Sequence, residues 1–335
     1  MTTETVGPSS TGPPGERSCH ARRWRIGYRG ALTVRPRKCD GKSAPPDTRR
    51  SGRAGGLHTL DAVSPQPLRA PTPASPSSAV PADASPRVEA PGGVLNVAAY
   101  LFTAIADPDA LRDPLRERAE DAGLRGTILL APEGVNLFLA GAPASVRGFV
   151  DALRADDRFA ALQTKESWSD GVPFARLLVK VKREIIRMDR PEVRPQDGRA
   201  PAVSPETLRR WLDTGSDDEG REVVLVDTRN AFEVAYGTFA GALEWGIERF
   251  TQFPAAVSAH RDALVGKTVV SFCTGGIRCE KAALQLRAEG VDAYQLDGGV
   301  LGWFAEQGDA HWDGDCFVFD GREALTPALA PAAPR

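Results

Sequence analysis

The sequence has few cysteines and histidines and no long apolar run. Because no stretch of 18 or more apolar residues occurs, we expect no transmembrane helix. The first 30 residues also lack the apolar segment of a secretory signal peptide. The five cysteines are Cys19, Cys39, Cys273, Cys279 and Cys316. This odd, scattered set is not a disulfide framework, so we expect a cytoplasmic protein. With only four histidines and no Cys-x-x-Cys pair, the sequence predicts no metal site.

Basic charge is concentrated at the N-terminus of an otherwise acidic chain. The first 90 residues contain 14 Lys and Arg against 7 Asp and Glu, and 13 of the 27 prolines. Few apolar residues recur there at a helical or strand period, so burial cannot offset the entropy of ordering. We therefore predict that residues 1–93 form a disordered extension rich in proline and arginine. Its basic clusters suit an arm for a polyanion, but we favour the interpretation that this segment is a solvated tail or reflects a start assigned too early.

Residues 94–190 predict a small α+β domain. The pattern indicates strands over 94–102, 126–130, 135–139 and 176–186, and helices over 107–122 and 143–156. The order β-α-β-β-α-β is that of a ferredoxin-like (acylphosphatase-like) sandwich, with both helices on one face of the sheet.

The predicted last strand of this domain is basic on one face. Arg176, Lys180 and Lys182 share that face because side chains alternate along a strand. An uncovered basic sheet face suits a phosphate backbone. A merely solvated face remains the alternative interpretation.

A second domain follows a linker predicted over residues 191–203. Short apolar strands over 222–227, 267–273 and 293–296 alternate with helices over 204–211 and 280–289. This alternation predicts a parallel α/β domain over residues 204–310. Residues 311–335 form a C-terminal segment whose end we expect to be disordered.

The candidate chemistry lies in one loop of the second domain. This loop comprises Cys273, Thr274, Gly275, Gly276, Ile277 and Arg278. It follows a buried strand and precedes a helix, which is where parallel sheets bind ligands. Two glycines let several backbone N–H groups converge on one centre, and the helix adds its positive end. A cysteine in that position, close to an arginine, should be a stabilised thiolate.

The spacing of the loop favours sulfur chemistry over phosphate chemistry. Cysteine-dependent phosphatases need Cys-x5-Arg to encircle a phosphate, whereas this loop is Cys-x4-Arg, from Cys273 to Arg278. The shorter loop fits a sulfur-centred group better. Cys279 is either a second, resolving thiol or a packed helix residue. Cys316 is interpreted as a strand residue.

Several stretches resemble one family. Residues 227–242 and the loop 273–278 resemble the signatures of rhodanese domains. More narrowly, the chain resembles the rhodanese-related tRNA uridine(34) hydroxylases. The stretches that carry this resemblance are Ala131–Asn136, Val179–Ile185, Asp227–Asn230, Cys273–Lys281 and Phe317–Asp320.

The resemblance implies an oxidoreductase that forms 5-hydroxyuridine at the wobble position of tRNA. It implies molecular oxygen and an electron donor of unknown identity, and makes Cys273 the active-site cysteine, carrying a persulfide. No cofactor is identifiable from the residues. The expected partner is the anticodon arm of tRNA, bound partly by Arg176, Lys180 and Lys182. Neither DNA nor a membrane is an expected partner. A protein that donates sulfur or electrons is a further candidate partner. Two alternatives stay open: a persulfide sulfurtransferase and a non-enzymatic module that binds RNA or a protein partner.

Overall fold

The N-terminal domain is a five-stranded sheet with two helices on one face. The structure is a computed structural model and describes residues 93–334. The elements of this domain are β1 (Val94–Phe102), α1 (Pro108–Asp121), β2 (Arg125–Ala131), β3 (Gly134–Gly141), α2 (Pro143–Arg154), β4 (Gln163–Ser169) and β5 (Leu177–Val181). The strand order is β4-β1-β3-β2-β5, and all pairs are antiparallel except β2 with β5. The first four strands therefore have the predicted ferredoxin-like order.

The prediction for the last strand of this domain is wrong in two respects. The fourth strand of the sandwich is β4, which the sequence pattern did not indicate. Its residues Gln163–Ser169 are mostly polar, and pairing with β1 along seven positions makes them a strand. The predicted strand 176–186 is instead a shorter fifth strand, β5, at the edge. The chain leaves the sheet after the Lys182 N–H donates to the Leu130 carbonyl (2.7 Å).

The second domain is built on a four-stranded parallel sheet. Its elements are β6 (Ala202–Val203), α3 (Pro205–Thr214), β7 (Val223–Asp227), α4 (Ala231–Val234), β8 (Gly237–Phe239), α5 (Phe253–His260), β9 (Thr268–Phe272), α6 (Ile277–Ala288), β10 (Ala293–Leu296), α7 (Gly299–Gln307), β11 (Trp312–Gly314), β12 (Cys316–Phe317) and β13 (Ala324–Leu325). The sheet order is β6-β10-β9-β7, with every neighbouring pair parallel. The predicted α/β class is confirmed. None of the helices between residues 93 and 334 is both long and apolar enough to cross a membrane.

Two segments expected to be loose are packed. Within the predicted linker 191–203, Val193 and Ala200 are buried in the core of the second domain. In the C-terminal segment, β11 pairs with β8, and Leu325 is fully buried. The expected disorder at the C-terminal end is therefore not observed as far as residue 334. The disorder predicted for residues 1–93 concerns residues outside those described, apart from residue 93.

The second domain covers part of the sheet face that lacks helices, which we had expected to be open. Ile277 of α6 is buried against Phe102 and Ala131 of that sheet. Next to this contact, the Lys281 ammonium is 1% exposed and lies 2.8 Å from a Glu133 carboxylate oxygen and 2.7 Å from one of Glu184. Since a buried charge needs a partner, these pairs fix α6 against the first domain. The sheet of the first domain therefore lies against the start of α6 and forms one wall of any site at that end of the helix.

Candidate active site

The predicted loop joins β9 to α6, under the sheet of the first domain. Cys273 follows β9 directly, and α6 begins at Ile277, three residues earlier than predicted. Ile277 and Arg278 therefore belong to the first helical turn. Gly276 has φ +103°, a conformation that L side chains rarely adopt, and this lets the chain turn from the loop into the helix. The early helix start places unpaired N–H groups next to the cysteine.

The Cys273 sulfur sits among hydrogen-bond donors. The Gly276 N–H donates to it at 3.2 Å, and the N–H groups of Arg278 and Cys279 also stabilise its charge. Burial alone would raise the pKa of this thiol. The Cys279 thiol, the Arg278 charge and the backbone donors outweigh burial and lower the pKa to about 5. The Gly276 N–H thus lies where the sequence predicts a donor to this sulfur, and the ionised state of Cys273 stays a prediction.

The start of α7 holds this loop in shape. The Val300 N–H donates to the Cys273 carbonyl (2.9 Å), and the Leu301 N–H donates to the Thr274 carbonyl (3.0 Å). Gly299 makes the approach possible, because a Cβ there would lie 2.5 Å from the Cys273 carbonyl oxygen. Because α7 binds these two carbonyl groups, it fixes the backbone conformation in which N–H groups of the loop face the Cys273 sulfur.

Arg278 contributes charge but is not free. Its guanidinium donates two hydrogen bonds to Glu233 of α4, at 2.6 and 2.7 Å, and the Glu233 side chain is fully buried. Glu233 also accepts from the Asn230 N–H at the start of α4 (3.1 Å). The arginine is therefore a fixed cation beside the thiolate, partly compensated by Glu233.

The two other described cysteines differ from Cys273. The Cys279 thiol is buried and donates to the Gly276 carbonyl (3.0 Å), and burial and the Cys273 thiolate raise its pKa. Burial raises the pKa of Cys316 to about 12. Both thiols are protonated at neutral pH. The Cys279 thiol is therefore packed at the start of α6, and a role as a second, resolving thiol stays a prediction.

The first domain supplies a wall that the sequence did not reveal. Cys273 has no exposed surface. Tyr100 of β1 covers the loop, with its hydroxyl 2.8 Å from where a Cβ on Gly276 would lie, and donates to Glu280 at 3.1 Å. Lys165 of β4 stands over the Tyr100 ring, with Nζ 5.4 Å from the ring centre. The surroundings of the thiol are thus polar and charged rather than hydrocarbon.

Acidic and basic groups around this wall largely compensate one another. Burial lowers the pKa of Lys165, while Asp297 and the Cys273 thiolate oppose that effect. Burial, followed by the charge of Glu280, raises the pKa of Tyr100, which keeps its proton and remains a donor. Arg199 binds both Glu280 oxygens, at 2.8 and 3.0 Å. The Glu280 carboxylate is therefore paired with an arginine.

Sequence reasoning found the loop but missed most of its surroundings. Tyr100 lies in an apolar strand and Lys165 in a strand that was not predicted, so neither carried a signal. Glu233 stood inside the rhodanese-like signature but had no role assigned. Between residues 93 and 334, no group of three or more His, Cys, Asp or Glu side chains is arranged to hold a metal ion.

The three residues predicted to bind tRNA lie apart from the loop. Lys180 is on β5, and Arg176 and Lys182 flank that strand; all three are exposed. In the sheet, β5 is separated from β1 by β2 and β3. Glu184, which would continue the same face, turns away to Lys281. Their role in binding remains a prediction.

The lowered pKa of Cys273 gives a measurable expectation. The thiolate should form with a midpoint near pH 5, so the sulfur is protonated below that pH and anionic at neutral pH. The measurement is thiolate absorbance at 240 nm between pH 3.5 and 9, taken as the difference between the wild type and Cys273→Ser. A midpoint near the ordinary value of about 8.5 would contradict the donor cradle around the sulfur.

Family models match both domains. The model described as "UPF0176 acylphosphatase like domain" matches residues 94–185, and the model described as "Rhodanese-like domain" matches residues 204–306. A solved structure from Saccharomyces cerevisiae, described as a homolog of single-domain rhodanese, has 21% identity and a TM-score of 0.30, covering 34% of this chain and 87% of that one.

Full-length relatives share both domains. A protein of Variovorax paradoxus named tRNA uridine(34) hydroxylase is 64% identical over 241 residues, which are 72% of this chain and 92% of that protein. A protein of Bordetella pertussis with the same name is 63% identical over 241 residues, covering 72% of this chain and 99% of that protein. Identity at this level, across both domains and nearly the whole length of each relative, shows that the chain belongs to the tRNA uridine(34) hydroxylase family.

Proposed function

We propose that this protein is an oxidoreductase that hydroxylates C5 of uridine 34 in tRNA, with Cys273 as the active-site cysteine. The single observation that carries the role of Cys273 is geometric: its sulfur accepts a hydrogen bond from the Gly276 N–H at 3.2 Å. Although burial opposes it, the donors and the Arg278 charge around the sulfur lower its pKa to about 5. Only an ionised sulfur reacts readily as a nucleophile. Members of the family at 57–64% identity are named for the reaction on uridine 34.

The overall reaction requires oxygen and electrons. The C5–H of uracil, one O2, two electrons and two protons give C5–OH and one water. The electrons come from a reduced donor that the protein meets in the cytoplasm, where tRNA is available. Cys273 acts as a thiolate or as a persulfide, since the same N–H groups stabilise either sulfur anion.

The residues around the sulfur suit a uracil ring that gains negative charge during the reaction. Arg278, held by Glu233, keeps a positive charge beside the sulfur. Tyr100, whose hydroxyl donates to Glu280, and Lys165, whose pKa is lowered by burial, line the loop from the first domain. Donors placed in advance stabilise a developing oxyanion most strongly when water is excluded. Because Cys273 is covered, the uridine must leave its stack, and the protein must open beside the loop to admit it.

A deletion strain tests the proposal. Mass spectrometry of tRNA nucleosides should show loss of 5-hydroxyuridine and its derivatives, restored by the wild-type gene. Unchanged nucleosides, in a strain without a redundant pathway, would contradict it.

The same loop also favours a second function, persulfide transfer. Cyanide-dependent thiocyanate release by the purified protein, with tRNA untouched, would assign that function instead.

We further propose that Arg176, Lys180 and Lys182 contact phosphates of the same tRNA. The double variant Lys180→Glu and Lys182→Glu should bind tRNA at least about tenfold more weakly at moderate salt and show a shallower salt dependence. Both side chains are exposed, so the fold should persist. The matched control is Lys267→Glu, a partly exposed lysine of the second domain that pairs with Glu222. Equal affinity of the double variant and the wild type would remove this part of the proposal alone.

A further inference from the structure

An aromatic patch adjoins the thiol loop and has no role in the chemistry above. We define it as Phe232, Phe317 and Phe319. Phe232 and Phe319 are 48% and 51% exposed, although large apolar side chains are usually buried. The ring centres lie 5.2 Å apart for Phe232 and Phe317, and 5.1 Å apart for Phe317 and Phe319. Their ring planes are close to perpendicular, so the cluster presents both ring faces and ring edges.

The patch is attached to the active loop at two points. The Thr274 hydroxyl donates to the Phe317 carbonyl at 3.4 Å, and Thr274 is the residue after Cys273. The Arg278 guanidinium lies 5.9 Å from the centre of the Phe319 ring. On α4, Phe232 immediately precedes Glu233, the partner of Arg278. The patch therefore adjoins the loop on the side of Arg278 and Glu233.

Fixed aromatic side chains beside a nucleotide site suit an unstacked base. Unpaired bases are bound by stacking on Phe, Tyr or Trp, and each such stack contributes to affinity whatever the base is. Extruding uridine 34 from the anticodon loop leaves its neighbour without one stacking partner. The exposed rings can replace that partner.

We propose that the aromatic patch is a stacking subsite for the anticodon-loop base next to uridine 34. This inference rests on the proposed function and deepens it by naming how the neighbouring nucleotide is held. The patch is small for a protein interface, since two half-exposed rings provide only a fraction of the roughly 1,200 Å² that a stable complex buries. A single base, by contrast, is matched by one or two rings.

The test combines protein variants with altered RNA. The protein variants are Phe319→Ala, Phe232→Ala and Phe319→Trp, with Val265→Ala as a control at another exposed apolar residue (54% exposed). The RNAs are an anticodon stem–loop containing uridine 34 and two copies lacking the base at position 33 or 35. Binding is measured by fluorescence anisotropy, and folding by circular dichroism.

We expect each alanine variant to bind the intact RNA about 5- to 100-fold more weakly, and Phe319→Trp and Val265→Ala to bind like the wild type. On one of the two abasic RNAs, the alanine variants should lose less than about twofold, because the ring has no base left to contact. Such non-additivity would assign the stack to that position.

Other results overturn the inference. Wild-type affinity in both alanine variants would remove the patch from RNA binding while leaving the hydroxylase proposal intact. An equal loss on intact and both abasic RNAs would show that the rings support something other than a neighbouring base. A wild-type dimer that dissociates in the variants, with unchanged RNA affinity, would assign the patch to a second copy of the chain. If the wild type bound no tRNA at all, the proposed function would fall together with this subsite.

Discussion

Cys273→Ser is expected to reduce 5-hydroxyuridine formation at least about a thousandfold while leaving the fold intact. The serine hydroxyl is nearly the same size as the thiol, so the loop and its contacts with α7 should persist. It does not ionise near neutral pH, however, and cannot become a persulfide. The cradle that lowers the pKa of Cys273 to about 5 would then surround a neutral group.

The measurement is nucleoside mass spectrometry of tRNA from a deletion strain expressing the wild type or the variant. Cys316→Ala is the matched control, because Cys316 is also buried but has its pKa raised to about 12 and stays protonated. Cys279→Ser keeps a hydroxyl that can donate to the Gly276 carbonyl but removes the thiol. Lost activity in this variant would indicate a resolving thiol, and full activity would indicate a packed helix residue. Full activity of Cys273→Ser would contradict a sulfur mechanism.

Glu233→Ala is expected to destabilise the protein by about 3–5 kcal/mol. The substitution leaves the Arg278 guanidinium, 6% exposed, without its carboxylate partner. It also removes the acceptor for the Asn230 N–H. Urea denaturation measures the loss, with Glu222→Ala as control. Glu222 makes a surface pair with Lys267, is itself 62% exposed, and should matter by less than about 1 kcal/mol.

The milder Glu233→Gln separates stability from catalysis. It keeps an acceptor for Arg278 but removes the negative charge, so Arg278 should stabilise the thiolate more strongly and the pKa of Cys273 should fall below 5. Arg278→Met should change that pKa in the opposite direction. The 240 nm titration distinguishes the two variants. Identical midpoints in both would show that the ion pair does not influence the sulfur.

The sequence was informative where one residue type determines the local structure. Gly276 and Gly299 permit backbone conformations and approaches that a Cβ would obstruct, and the apolar strands β7 and β9 leave little choice but a buried parallel sheet. The position of Cys273 at the end of β9 followed from these features. The general fold of both domains and the loop were accordingly predictable.

Long-range pairing was not predictable in the same way. The strand β4 exists because β1 accepts it along its whole length, and its own residues give no apolar alternation. The wall over the thiol depends on how α6 meets the first domain, and hence on contacts such as Tyr100 with Glu280, 180 positions apart. A pattern within a short window carries no information about such partners.

The attachment of α6 to both domains limits how the protein could be taken apart. A fragment of residues 204–306 placed in another protein would retain the thiol loop. Its Lys281 would, however, lack its carboxylate partners Glu133 and Glu184. The fragment would also lose the wall formed by Tyr100 and Lys165, which would expose the Cys273 sulfur to bulk water and to dissolved oxidants. In this protein, the N-terminal domain covers the thiol loop, and the buried contacts of α6 tie the two domains together.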